Sequence, residues 1–292
     1  MDHNGNSGSS VSRASVPSAQ ERFVTVHGRQ MALFEAGTRE TTVVFDAGLG
    51  DSSASWDVVQ SEISRFAHAV SYDRAGRGQS HFVPGSRTSL DIANDLRAML
   101  EAAQIPGPYI LVGHSFGGYN IRVFADRFPD LVAGLILVDS SHEFQAQAFG
   151  NVLSNVELPP RAFGESEALA FARQEQATFA DPLHPANFVD PEGIDWAITT
   201  EQVSQTRVPD HVALTVITAG IGGWWFSDLT GVVAEISAQL TVVWRELQTQ
   251  LVCLSVQGQQ VIAENSHHYV HHDQPEVVVE VIRGMLDSAR GA

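Results

Sequence analysis

Lysine is missing altogether: all 17 cationic side chains among the 292 residues are arginine. Without an amine side chain the chain cannot form a Schiff base, attach pyridoxal phosphate or build a phosphate-binding P-loop. Positive charge is scarce too, since 34 Asp and Glu leave a formal net charge of −17. Such a chain repels phosphate backbones, so no nucleic-acid partner is expected. A single cysteine, Cys253, rules out a disulfide framework and a cysteine-based zinc site. It lies in the apolar run Leu251-Val252-Cys253-Leu254, which predicts a buried core thiol and not a nucleophile. No run of ~18 apolar residues occurs, so no membrane span and no membrane partner are expected.

Apolar material is plentiful at 43% of residues, enough for a sizeable core. At about 150 residues per domain, the length suits two domains or one large α/β domain with an insertion. Residues 1–20 are small and polar without an apolar h-region, which reads as a disordered leader and not a secretory signal; the default compartment is then the cytoplasm. Beyond the leader, strands are predicted over 23–26, 30–35, 42–45, 69–72, 109–112, 134–138, 212–218 and 260–263. Several are continuous apolar runs, as expected of a parallel sheet covered on both faces. Between them lie amphipathic stretches, such as residues 89–104 behind a Thr88/Asp91 capping-box pattern. The first two strands are close enough for a hairpin, and the others have helix-length spacing. The predicted architecture is a mostly parallel, eight-stranded, doubly wound sheet with an antiparallel start. Residues 21–139 and 211–292 would form this core. Residues 140–210 lack a strand pattern and are too long for an ordinary connection, so they are expected to form a helical cap, or lid, after the sixth strand.

The chemistry centres on Gly113-His114-Ser115-Phe116-Gly117-Gly118. A G-x-S-x-G between a strand and a helix is a nucleophile elbow: the tight turn lifts the serine Oγ above the sheet, and side chains on the flanking glycines would collide with backbone. Phe45-Asp46-Ala47-Gly48-Leu49-Gly50 and Asp73-Arg74-Ala75-Gly76-Arg77-Gly78-Gln79-Ser80 follow the third and fourth strands. Together these segments resemble the α/β-hydrolase family across residues 20–290. The resemblance implies Ser115 as nucleophile and the backbone N–H groups of Leu49 and Phe116 as oxyanion hole, with Gly48 leaving room for substrate and Asp73 and Arg74 bracing loops. It places the base at His268 in Ser266-His267-His268, with Pro275 and a C-terminal helix following. The i, i+4 spacing of His268 and His272 offers a metal-binding alternative, which needs a continuous helix there. No metal or other cofactor is required by the hydrolase reading.

The acid has two candidates. Asp139 ends the sixth strand in Leu137-Val138-Asp139-Ser140-Ser141-His142, resembling a bacterial hydrolase group, and Asp228 follows the seventh strand. Asp139 is preferred, because a strand terminus fixes a carboxylate better than a loop tip. The aromatic trio Trp224, Trp225 and Phe226 is the candidate substrate-binding set. The expected activity is cofactor-independent hydrolysis of an apolar or aromatic small-molecule ester or lactone through Ser115, His268 and Asp139. A cofactor-free lyase or C–C hydrolase on the same fold, and a small-molecule receptor with a hydrolase fold, stay open. So does a homo-oligomer.

Overall fold

The structure, a computed structural model, describes residues 19–38, 41–160, 167–180, 192–222 and 231–291. The strands are β1 (Gln20–Val26), β2 (Arg29–Ala36), β3 (Thr42–Asp46), β4 (His68–Tyr72), β5 (Tyr109–His114), β6 (Val132–Val138), β7 (Ala213–Ala219) and β8 (Gln259–Ala263). The helices are α1 (Asp57–Ile63), α2 (Ser89–Ala102), α3 (Phe116–Arg127), α4 (Gln145–Ser154), α5 (Glu167–Ala180), α6 (Trp196–Ser204), α7 (Gly231–Val252), α8 (Val270–Asp273) and α9 (Pro275–Gly291).

The strands form one eight-stranded sheet in the order β1-β2-β4-β3-β5-β6-β7-β8. β1 pairs antiparallel with β2, and β2 antiparallel with β4; every other pairing is parallel. The β1–β2 hairpin turns at His27 and Gly28, both at positive φ (49° and 78°). Two such residues make the mirror-image turn whose twist matches that of the strands it joins. Strands β3 to β7 are buried on both faces, with alternate residues dividing between two cores, whereas the edge strand β8 is largely exposed. Tyr109 and Leu111 of β5 face a core built with Leu96 of α2 and Phe124 of α3. Ile110 and Val112 face the other, built with Ile63 of α1 and Ile282 of α9. This period of two explains why the central strands read as unbroken apolar runs.

Between β6 and β7 the described chain is helical: α4 and α5 pack on each other and against α7, around Phe149, Leu153, Leu240 and Trp244. α6 leans on α2 and α3. Two side chains of α6 also bond the start of α2, Thr199 accepting from Ser89 N (3.3 Å) and Gln202 from Leu90 N (3.1 Å).

Cys253 corrects the sequence reading. It is exposed, in the turn just beyond α7. At about 100° per residue it points some 200° away from Leu251, the buried member of that apolar run. The linear run therefore wraps around a helix end: Leu251 sits in the core, Val252 and Leu254 pack against it, and Cys253 faces out.

The capping box at α2 is present on both sides: Thr88 Oγ1 accepts from Asp91 N (3.2 Å), and the Asp91 carboxylate accepts from Thr88 N (2.9 Å). Thr88→Ala is expected to cost about 1 kcal/mol and to lower Tm by about 2 °C, measured by calorimetry; an unchanged Tm would show that tertiary contacts alone hold this helix end.

Candidate active site

Ser115 links β5 to α3 with φ 51° and ψ −118°, left-handed backbone that a residue with a Cβ adopts only under constraint. The neighbouring glycines supply the room. A Cβ on Gly113 would stand 2.6 Å from the Gly117 carbonyl, and one on Gly117 would run into Asp46 O. The turn is held by Ser115 N donating to Val138 O (3.2 Å) and by Ser115 O accepting from Gly118 N and Ser141 N (3.0 Å each). From Tyr109 to Ala125 every residue is buried except Ser115. The elbow thus raises one hydroxyl out of an otherwise closed core.

Asp139 occupies the matching point on the neighbouring strand, directly after β6, also at positive φ (40°) and fully buried. Its N–H donates to Ile217 O at 2.7 Å. Its Oδ1 accepts from Ala219 N (3.0 Å) and from Trp244 Nε1 of α7 (2.9 Å). Its Oδ2 meets His268 Nδ1 at 2.7 Å. The carboxylate is therefore oriented by two donors on one oxygen while the other faces the imidazole. Trp244 was not singled out from the sequence, where it is one apolar position in a long helical pattern. Asp228, the other candidate acid, lies outside the described residues.

His268 stands in the loop between β8 and α8 and is 8% exposed. Its carbonyl accepts from His114 Nε2 (3.0 Å), which ties the loop to the elbow. His267 is exposed, and its N–H donates to Asp273 Oδ2 (2.9 Å). The alternative of a His268/His272 metal pair loses its helical basis, because α8 begins only at Val270. His272 Nε2 instead pairs with Ser55 O at 2.9 Å.

The loop after β3 carries the predicted oxyanion segment. Gly48 is buried, and a Cβ there would lie 2.9 Å from both Asp51 Oδ2 and His114 Nδ1. The room this glycine leaves is thus taken by protein side chains. Leu49 is partly buried against the core that holds the Phe116 ring. That ring lies under the Arg74 guanidinium (5.5 Å) and edge-on to Trp196 of α6 (5.3 Å). Asp73 and Arg74 brace the loops as the resemblance implies. Asp73 accepts from Ser53 N and Gln79 N (2.8 Å each), and Arg74 donates to Asp46, Ala47 O and Gly48 O (2.6 Å each). Trp224, Trp225 and Phe226 lie outside the described residues.

A cluster of tilted histidine rings backs the elbow. His271 lies 4.3 Å from the Trp56 ring and 4.5 Å from His114, and His114 lies 4.6 Å from His268. Burial, then the neighbouring imidazoles, hold His114 and His271 well below the ordinary imidazole value. Both rings are accordingly neutral at pH 7.

Residues 43–281 match the model of the alpha/beta hydrolase family, and the chain belongs to that family. It is 26% identical over 242 residues to the uncharacterised protein YqjL of Bacillus subtilis, covering 83% of this chain and 82% of that protein. In structure it is similar to a thermophilic esterase from Thermogutta terrifontis, with TM-score 0.60, 20% identity, and 92% and 99% of the two chains covered. It is also similar to Est816, described as an N-acyl homoserine lactone degrading enzyme, with TM-score 0.58, 18% identity, and 90% and 99% covered. Among the described residues no helix is long and apolar enough to cross a membrane.

The neutral histidines set a pH dependence. Their native values lie below the unfolded value of 6.5, so below that pH the unfolded chain binds protons that the folded chain does not. Stability is full well above pH 6.5 and is lost as pH falls through that value and below it. The denaturant midpoint is expected to decrease between about pH 7.5 and 5.5, and His271→Phe should flatten that slope. A midpoint constant across this window would refute the assignment.

Proposed function

We propose that the protein is a cofactor-independent serine hydrolase in which Ser115, His268 and Asp139 act as a triad. The observation that carries the reading is the 2.7 Å contact between His268 Nδ1 and a fully buried Asp139, beside a serine held at positive φ. With Nδ1 bound to the carboxylate, His268 Nε2 takes the proton of Ser115 Oγ as the oxygen attacks an ester or lactone carbonyl. The N–H groups of Leu49 and Phe116 stabilise the tetrahedral oxyanion, and the N-terminus of α3 adds to that stabilisation. His268 then passes the proton to the departing alkoxide. Water, deprotonated by the same imidazole, releases the acyl group and restores Ser115. Asp139 fixes the tautomer and stabilises the imidazolium, helped by the donors from Ala219 and Trp244 that hold its other oxygen.

Residues 140–210 serve in this reading as a cap over the site, with α6 packed beside Phe116 through Trp196. An apolar or aromatic acyl or alkoxy group suits it best, since the net charge of −17 disfavours anionic substrates. Trp224, Trp225 and Phe226 are proposed to line the pocket. Similarity to a thermophilic esterase and to a lactone-degrading enzyme supports esters and lactones as the panel to test first.

A fluorophosphonate probe followed by peptide mapping is expected to label Ser115 in the wild type and to leave Ser115→Ala and His268→Ala unlabelled. Asp139→Asn should keep the fold and lower kcat about 10⁴-fold by stabilising the wrong tautomer. Absence of labelling in the folded wild type would instead favour the receptor or lyase alternative.

A further inference from the structure

Glu192 belongs to the insertion between β6 and β7, yet its carboxylate is buried beneath the loop that follows β3, with 3% of the side chain exposed. The backbone around it is strapped in place. Gly193 O accepts from Arg87 N (2.9 Å), Asp195 N donates to Arg87 O (2.7 Å), and the Asp195 side chain caps α6 through Ile198 N (3.0 Å). From this strap Glu192 Oε1 accepts from Gly50 N (2.7 Å) and Arg74 Nη2 (2.5 Å), while Oε2 accepts from Arg74 Nε (2.8 Å). The remaining donors of Arg74 go to Asp46 Oδ1, Ala47 O and Gly48 O at 2.6 Å each. All five guanidinium hydrogens are thereby used, in a planar fork that cannot rotate without breaking several bonds.

The bond to Gly48 O bears directly on the next residue. The Gly48 carbonyl and the Leu49 N–H belong to one planar trans peptide unit and point in opposite directions. Holding the oxygen therefore aims the N–H, and a flipped peptide would forfeit the Arg74 bond and the 3.1 Å bond from Asp51 N to the same oxygen. On the other side of Leu49, Gly50 N is held by Glu192. We infer that Glu192 is a positioning residue for the oxyanion hole, fixing through Arg74 and Gly50 the peptide that presents Leu49 N–H. The inference rests on the serine-hydrolase reading above, and it gives the insertion a part in the chemistry without contact with the reacting atoms. Burial pushes the Glu192 carboxyl up, but the charge and hydrogen bonds of Arg74, with the Gly50 N–H, outweigh it and hold the group below its ordinary value. The clamp is therefore ionised at neutral pH.

Steady-state kinetics with a p-nitrophenyl ester on the full chain test this. Glu192→Gln keeps the shape but turns one acceptor into a donor facing Arg74. It is expected to lower kcat about 10- to 100-fold, a partial loss of one oxyanion donor, while KM stays within about twofold. Glu192→Asp, charged but one methylene shorter, should fall between wild type and Glu192→Gln, again at constant KM. Should Glu192→Gln fail to fold, Glu192→Asp alone decides the matter by the same split. A kcat within about twofold of wild type, or a rise in KM at unchanged kcat, overturns the inference. Ser115→Ala is run alongside. If the wild type shows no Ser115-dependent turnover, the hydrolase reading fails and the inference falls with it; if turnover depends on Ser115 but not on Glu192, only the inference falls.

Discussion

Ser115 lies at φ 51° in backbone that costs an L-residue roughly 1–3 kcal/mol, and much of the molecule is arranged so that this conformation persists. Gly113 and Gly117 vacate the space a side chain would need. The parallel register sets His114 opposite Val138, so the chain leaves β5 and β6 at the same level. That is why Ser115 N can donate to Val138 O, and why Ser141 N can return a bond to Ser115 O. Asp139, also at positive φ, is part of the same knot. Ser115 is bonded to Val138 and Ser141, the residues flanking Asp139, so the two strained positions are held together, one partly exposed and the other sealed against His268.

A second constraint is electrostatic. Asp46, Arg74 and Glu192 are all buried, one cation between two carboxylates. Burial raises the Asp46 carboxyl despite Arg74 and the hydrogen bond from Tyr72, whereas Glu192 is held low. A buried ionic cluster is a poor source of stability, because the charges must first be desolvated. Its value here is geometric: three elements distant in sequence, the ends of β3 and β4 and the insertion before α6, meet at one guanidinium with fixed directions. The fold accepts desolvation in exchange for a loop that cannot drift.

The sheet was legible in the sequence because its signals are local. Continuous apolar runs marked the two-sided central strands; all eight predicted strands are present, seven with both ends within two residues of those observed, while β1 starts three residues earlier than its apolar pattern. Ser115 was legible because the elbow needs its glycines within two positions on either side. His268 and Asp139 were harder, since their 2.7 Å contact spans 129 positions and no spacing rule encodes it; Asp139 stood out only because a strand end holds a carboxylate better than a loop tip. Glu192 and Trp244 were missed for the same reason. Each acts on a partner more than 100 residues away, and each reads locally as an unremarked acid in a loop and an apolar position in a helix. Cys253 failed differently. Four consecutive apolar letters look alike in a row, but helix geometry sends them around a full turn.

That exposed thiol has a use. Because it is the only cysteine in the chain, oxidation can join molecules in pairs and no further, and a thiol-directed dye attaches at one known place. Cys253 lies nine positions beyond Trp244, about 13 Å along the chain's helical rise, in the turn that ends the helix whose indole holds the Asp139 carboxylate. A fluorophore there watches the support of the proposed acid from outside the pocket, without a substitution anywhere in the protein.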